Sequence, residues 1–197
     1  TGDENVVVGM QALDNSDVGS FNTAIGKSAL GGDQKGSRST AVGNSALQTQ
    51  NFTSATNAYN SAFGFNAGGA VATGTNNTFI GGLAGDATDD GANNTAVGYL
   101  ALSANCGDQN TALGRSALQA VTGQQNTAIG YGAGSGVTTG SNNIIIGRAA
   151  DGASGASHNI TIGDNIAGAN NDFSFGKASN IVSNDFDADA NWSRSSD

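Results

Sequence analysis

The sequence predicts an all-β fold, a parallel β-solenoid of about eleven rungs of 16–17 residues. Three observations predict it. One short phrase recurs at a nearly fixed step. The composition, with 31 glycines, no proline and 12% charged residues, suits turns and short strands rather than an ordinary globule. The spacing of apolar residues does not follow the 3.6-residue helical period, and glycine at this density costs about 1 kcal/mol per residue in a helix.

The phrase is Asn, three residues ending on a large apolar one, then Gly. It is plainest in Asn94-Thr-Ala-Val-Gly98, Asn110-Thr-Ala-Leu-Gly114, Asn126-Thr-Ala-Ile-Gly130 and Asn143-Ile-Ile-Ile-Gly147. Over the whole chain its closing glycines are Gly9, Gly26, Gly43, Gly64, Gly81, Gly98, Gly114, Gly130, Gly147, Gly163 and Gly176, with steps of 17, 17, 21, 17, 17, 16, 16, 17, 16 and 13. The first position is Asn except at Ser39 and Asp172. Disordered Gly/Ser/Asn-rich chains do not place β-branched residues on a period, so the regularity argues for order.

Within a phrase, runs such as Thr23-Ala24-Ile25 are strand-like, bounded by Asn and Gly. Alternation places the second and fourth residues on one face and the third on the other. The bulky fourth residue is expected to face the core. The third, usually Ala (Ala24, Ala41, Ala62, Ala96, Ala112, Ala128), is expected to form a close-contact face against other copies of the chain. Gly supplies the backbone conformation of the corner. Three residues later comes Ala in most copies, often followed by Leu (Leu13, Leu30, Leu47, Leu102, Leu118), which reads as a second short strand or tight corner. Two sheets and a ladder of like Asn side chains are expected. So thin a coil buries few apolar groups per rung, which favours an oligomer.

Two places break the rhythm. The step from Gly43 to Gly64 is longer by four residues and carries Phe52, Tyr59, Phe63 and Phe65; such insertions map to loops, often on a binding face. After Gly176 the period ends. Residues 1–176 therefore read as the repeat domain and 177–197 as a C-terminal cap. The chain opens at Thr1 only four residues before the first phrase, as expected of a fragment of a longer protein.

Charge and cysteine content exclude several classes. A net charge of −9, with seven basic residues scattered among sixteen acids, offers no patch for nucleic acid. No apolar run approaches the roughly 20 residues of a membrane-spanning helix, so no membrane insertion is expected. Cys106 is the single cysteine, expected as a small buried hydrophobe. Asp185, Asp187 and Asp189 imitate the start of a calcium loop, but Ala190 and Ser196 stand where an EF-hand needs Gly and Glu. Asp86, Asp89 and Asp90 read as a polar turn, and Gly130-Tyr-Gly132-Ala-Gly134 as a turn without the helix of a dinucleotide site. His158 is the single histidine. No metal, cofactor or catalytic residue is assigned.

The most informative variable position follows each closing glycine. Lys27, Arg115, Arg148 and Lys177, four of the seven basic residues, fall there beside Phe65, Tyr99 and Tyr131. Rungs about 4.8 Å apart would let Tyr99, Arg115, Tyr131 and Arg148 stack alternately. Phe52, Tyr59, Phe65, Tyr99, Arg115, Tyr131 and Arg148 are the candidate ligand-facing residues, since aromatic and Arg side chains are favoured at recognition surfaces.

The repeated Asn-Thr-Ala-Ile-Gly-x-x-Ala-Leu phrase, over residues 5 to about 176, resembles the heads of trimeric autotransporter adhesins and the repeats of bacteriophage tail-fibre proteins. That resemblance implies a left-handed parallel β-roll with three chains side by side. The tail, Asn191-Trp-Ser-Arg-Ser-Ser-Asp197, is similar to the junction before the intramolecular chaperone of endosialidases, tailspikes and tail fibres, which cuts itself off between Ser and Asp. The matching pair here is Ser196 and Asp197. The resemblance implies a non-enzymatic, homotrimeric tail-fibre segment on an extracellular virion, binding a host cell-surface glycan or protein receptor. Alternatives are the head of a bacterial surface adhesin and a polysaccharide-depolymerising tailspike with carboxylates gathered between subunits.

Overall fold

The computed structural model describes residues 2–185 and 193–194. One short strand per phrase stacks on the next: Val6–Val8, Thr23–Ile25, Thr40–Val42, Ser61–Phe63, Thr78–Ile80, Thr95–Val97, Thr111–Leu113, Thr127–Ile129, Ile144–Ile146, Ile160–Asp164 and Asp172–Lys177. All these neighbours pair in parallel, which makes a β-solenoid of about ten turns. The register places like on like: Thr23 opposite Thr40, Ala24 opposite Ala41, Ile25 opposite Val42. The direction then reverses. Asn180–Asp185 runs antiparallel to Asp172–Lys177, and Ser193–Arg194 antiparallel to Asn180–Asp185. Among the described residues there is no helix.

The two faces of the strand are the reverse of the sequence expectation. The small third residue points into the coil: Ala24, Ala41, Ala62, Ala96, Ala112 and Ala128 are fully buried. The large fourth residue points out, with Val8, Ile25, Phe63, Ile80, Leu113, Ile129, Ile162 and Phe175 between 37 and 58% exposed. The reason is volume. Leu30, Leu47, Leu102 and Leu118 on the return half of the coil fill the interior, leaving room for only a methyl on the strand side. The Ala face is tight, as expected, but what it meets is its own rung.

The expected second sheet is also corrected. The return half is a run of turns, and beyond the main sheet only two short pairs form among the described residues, Gly36–Ser37 with Thr56–Asn57 and Asp151–Gly152 with Ala167–Gly168. Leu30, Leu47, Leu102 and Leu118 sit at φ near +50°, a left-handed conformation incompatible with a strand. The corners are bends, tied rung to rung by backbone bonds such as Leu30 N–H to Ala46 O at 3.0 Å and Leu118 N–H to Ala133 O at 2.9 Å rather than by strand pairing.

The Asn column stacks rung on rung, but it is joined mainly from backbone to side chain. Among the described residues only Asn126 to Asn110 and Asn143 to Asn126 bond amide to amide, as a ladder of like side chains would. The Asn94 backbone N–H donates to Asn77 Oδ1 at 2.9 Å, and Asn110 N–H to Asn94 Oδ1 at 2.8 Å, with the pattern continuing through Asn126, Asn143 and Asn159. Several of the amides also donate Nδ2–H to a carbonyl of the next turn, as Asn22 to Gly36 O and Asn77 to Gly91 O. Most of these side chains thus satisfy backbone groups that a turn would otherwise bury unpaired, whereas both polar atoms of the Asn159 side chain are buried without a partner among the described residues. Cys106 is buried, and the enclosure pushes its thiol pKa up.

Candidate receptor-facing surface

Three outward features run along the coil. The first is the apolar row just described. The second follows each closing glycine, and here the sequence-derived stacking is realised. The Arg115 guanidinium lies 5.9 Å from the Tyr99 ring centroid and 5.5 Å from that of Tyr131, and donates to the Tyr131 hydroxyl at 3.3 Å. Each such contact at an exposed site contributes about 0.5–1 kcal/mol. Arg148 does not continue the stack. It pairs with Asp164 at 2.8 Å one rung on, an exposed ion pair of modest strength.

Of the other candidates, Tyr59 and Phe65 are exposed. Phe52 is not: it is 6% exposed, folded under the long insertion between Gly43 and Gly64, and presents little surface to a ligand. An aromatic in an insertion is as ready to anchor the loop as to face solvent, and burial decides which. Ser196 and Asp197, the junction pair, lie outside the described residues, as do Asp187 and Asp189.

Sequence reasoning missed the third feature. The residue preceding each Asn also points outward, in a left-handed conformation, and carries a second short ladder. Arg38 stands 4.7 Å over the Phe21 ring and donates Nε–H to Asn57 Oδ1 at 3.1 Å. A column at this offset is legible in the sequence as Glu4, Phe21, Arg38, Tyr59, Asn76 and Asn93, but it lacks a repeated residue type to draw attention. The apolar row thus has an aromatic–arginine ladder beyond each end of its strands.

Inside the coil, one polar cluster replaces a missing ladder member. Ser39 stands where the column needs Asn. Gln50 takes over, with Asn60 Nδ2–H donating to Gln50 Oε1 at 2.8 Å. Gln50 Nε2–H in turn donates to Asp33 Oδ2 at 2.6 Å, and Gly36 N–H to Asp33 Oδ1 at 2.9 Å. Asp33 is 1% exposed, and burial raises its carboxyl pKa despite these donors; burial raises those of Asp86 and Asp151 as well. Among the described residues no group of three or more His, Cys, Asp and Glu is placed to hold a metal ion. No helix of the described chain is long and apolar enough to cross a membrane. The arrangement places apolar, aromatic and arginine side chains on the outside of the coil and the Asp33–Gln50–Asn60 cluster within it.

No family model, curated protein or solved structure matches the chain.

Proposed function

We propose that this protein is a structural and receptor-binding segment of a bacteriophage tail fibre, assembled as a homotrimer and without catalytic turnover of its own. The observation that supports it is the exposed apolar row from Val8 to Phe175. Large apolar side chains at a step of about 4.8 Å form a continuous strip that association would remove from water. A partner that covers the whole strip must repeat at the same step, and another copy of this chain, parallel and in register, does so. Three copies around one axis, and the left-handed coil, come from the resemblance to adhesin and tail-fibre rolls. The choice of a phage particle rests on the chaperone-like junction ending in Ser196 and Asp197. The aromatic–arginine ladders beside the strip are then the outward groups available to a host glycan or protein.

Light scattering tests the assembly. The protein is expected at three times its 19.3 kDa chain mass, and Ile80→Asp with Ile129→Asp is expected to shift it to monomer; a monomeric wild type defeats the proposal. Receptor binding is tested by sedimentation with bacterial cells. New reducing ends on incubation with capsular or lipopolysaccharide glycans would favour a depolymerising tailspike instead. Expression with its downstream region is expected to give self-cleavage that Ser196→Ala abolishes.

A further inference from the structure

We propose that a polar notch on the first three rungs binds a neutral pyranose sugar. The inference rests on the receptor-binding reading for its biological sense and on the notch itself for its chemistry. The cavity measures about 320 Å³, at the small end of ligand sites. Its middle is made by Gly31 and Gly32. At the same offsets from the closing glycine, the preceding rung carries Asp14 and Asn15 and the following rung Gln48 and Thr49. Two adjacent missing side chains thus open a gap between two polar pairs, and Gln11 and Ser28 line it as well. The rungs close up around the gap: a Cβ on Gly31 would stand 3.1 Å from Gln11 O, and one on Gly32 2.8 Å from Gln48 O. The notch lies on the return half of the coil, away from the strands that carry the apolar row, so it stays open when copies associate along that row.

The lining selects the ligand class. It holds one carboxylate, Asp14, and no Lys or Arg, so an anion is disfavoured. A single carboxylate supplies too little negative charge for a tight calcium-type site, although amide and hydroxyl oxygens stand beside it. No aromatic or aliphatic wall is present for an apolar or planar molecule. What remains is a set of amide, carboxylate and hydroxyl groups set among the methylenes of the same side chains. Asn15 is held by donating Nδ2–H to Gly31 O at 2.6 Å, which leaves its Oδ1 to accept. Thr49 Oγ1 lies within donating reach of Gly69 O and Val71 O, leaving its lone pairs available. Gln11, Asp14 and Gln48 make no side-chain hydrogen bond among the described residues. Sugar hydroxyls each donate and accept, and vicinal pairs match amide and carboxylate groups. Without an aromatic platform the single-site affinity is weak, and repetition of the site on every chain of an oligomer raises the avidity.

Saturation-transfer NMR tests this on the intact protein, with methyl glycosides of glucose, galactose, mannose and N-acetylglucosamine, and methyl sialoside as the anionic control. At least one neutral glycoside is expected to bind. Asp14→Ala with Gln48→Ala, both exposed positions, is expected to weaken binding about tenfold or more through loss of charge-assisted and neutral hydrogen bonds, with an unchanged thermal melt. Failure of every neutral glycoside, preference for the sialoside, or equal binding by the variant overturns the proposal. Cell sedimentation of wild type, scored separately, keeps the two readings apart. Cells bound without any glycoside binding overturns the notch and leaves the receptor reading standing; glycoside binding without cell binding does the reverse.

Discussion

At Phe79 the third position of the phrase holds a buried ring where most rungs hold a methyl. The chain compensates at the facing corner, where Leu is replaced by Gly68 in the preceding rung and Gly85 in its own. A Cβ on Gly68 would stand 2.8 Å from Phe79 Cδ2, and one on Gly85 would collide with the same ring. Ile145 repeats the exchange with Gly134. Phe79→Ala is expected to cost about 3–5 kcal/mol in denaturant unfolding. Adding Gly85→Leu, at a φ of +61° close to that of the other corner leucines, is expected to recover some of the loss. A double variant no more stable than the single one would contradict the shared-volume account. The closing glycines answer a different constraint. Gly98 combines φ +133° with a neighbour so near that a Cβ would lie 2.6 Å from Gly114 C and O. Gly98→Ala is therefore expected to destabilise by several times the ~1 kcal/mol of a glycine–alanine propensity difference, read as a lowered melting temperature.

At the level of the rung, the Asp33–Gln50–Asn60 cluster shows how a broken ladder is repaired. Gln50→Leu would leave Asp33 Oδ2 and Asn60 Nδ2 without this partner, at an expected cost of about 1–3 kcal/mol or more. The loss should be smaller at acidic pH, where Asp33 is protonated. The buried acids also set the direction of pH dependence in the native chain. Asp33, Asp86 and Asp151 have folded pKa values above the ordinary 3.8, so over that interval the folded chain keeps protons that the unfolded chain has released. Their favourable contribution is complete below the unfolded value and disappears as pH rises through the folded values. Melting temperatures are expected to fall from mildly acidic to neutral pH, the change shrinking in Asp33→Asn after allowance for that variant's lost acceptor. The rung was also where sequence reading reached its limit. The Asn ladder and the outward column of Tyr99, Arg115 and Tyr131 were legible because alternation and fixed spacing determine them. Which face of Thr23-Ala24-Ile25 turned inward was not, since size alone points to Ile25 and only the interior volume, already filled by Leu30, selects Ala24. Phe52 and Tyr59 look alike in the insertion, and only packing separates them.

For the whole molecule, the apolar row and the acidic charge act in opposite senses. A net charge of −9 opposes the approach of copies at long range, while covering the row would favour their contact. Added salt screens the first over a Debye length of ~10 Å at 0.1 M and leaves the second intact. If copies associate along the row, higher ionic strength is expected to tighten assembly, measured as a lower concentration for half-dissociation. Tighter assembly at low salt would point to ion pairs between copies instead.

The stacking of parallel strands also determines how such a rod meets a pull along its axis. The hydrogen bonds between rungs lie along the load, so they break rung by rung rather than resisting together in shear. A 17-residue rung drawn out spans about 56–61 Å and gives up only ~4.8 Å of stacked length. Each release therefore lengthens the chain by roughly 50 Å. A single chain held by its ends should extend as a staircase of near-equal treads, with a longer one at the insertion between Gly43 and Gly64. A rod of this kind is stiff at rest and yields in measured increments, like a ratchet strap, instead of snapping.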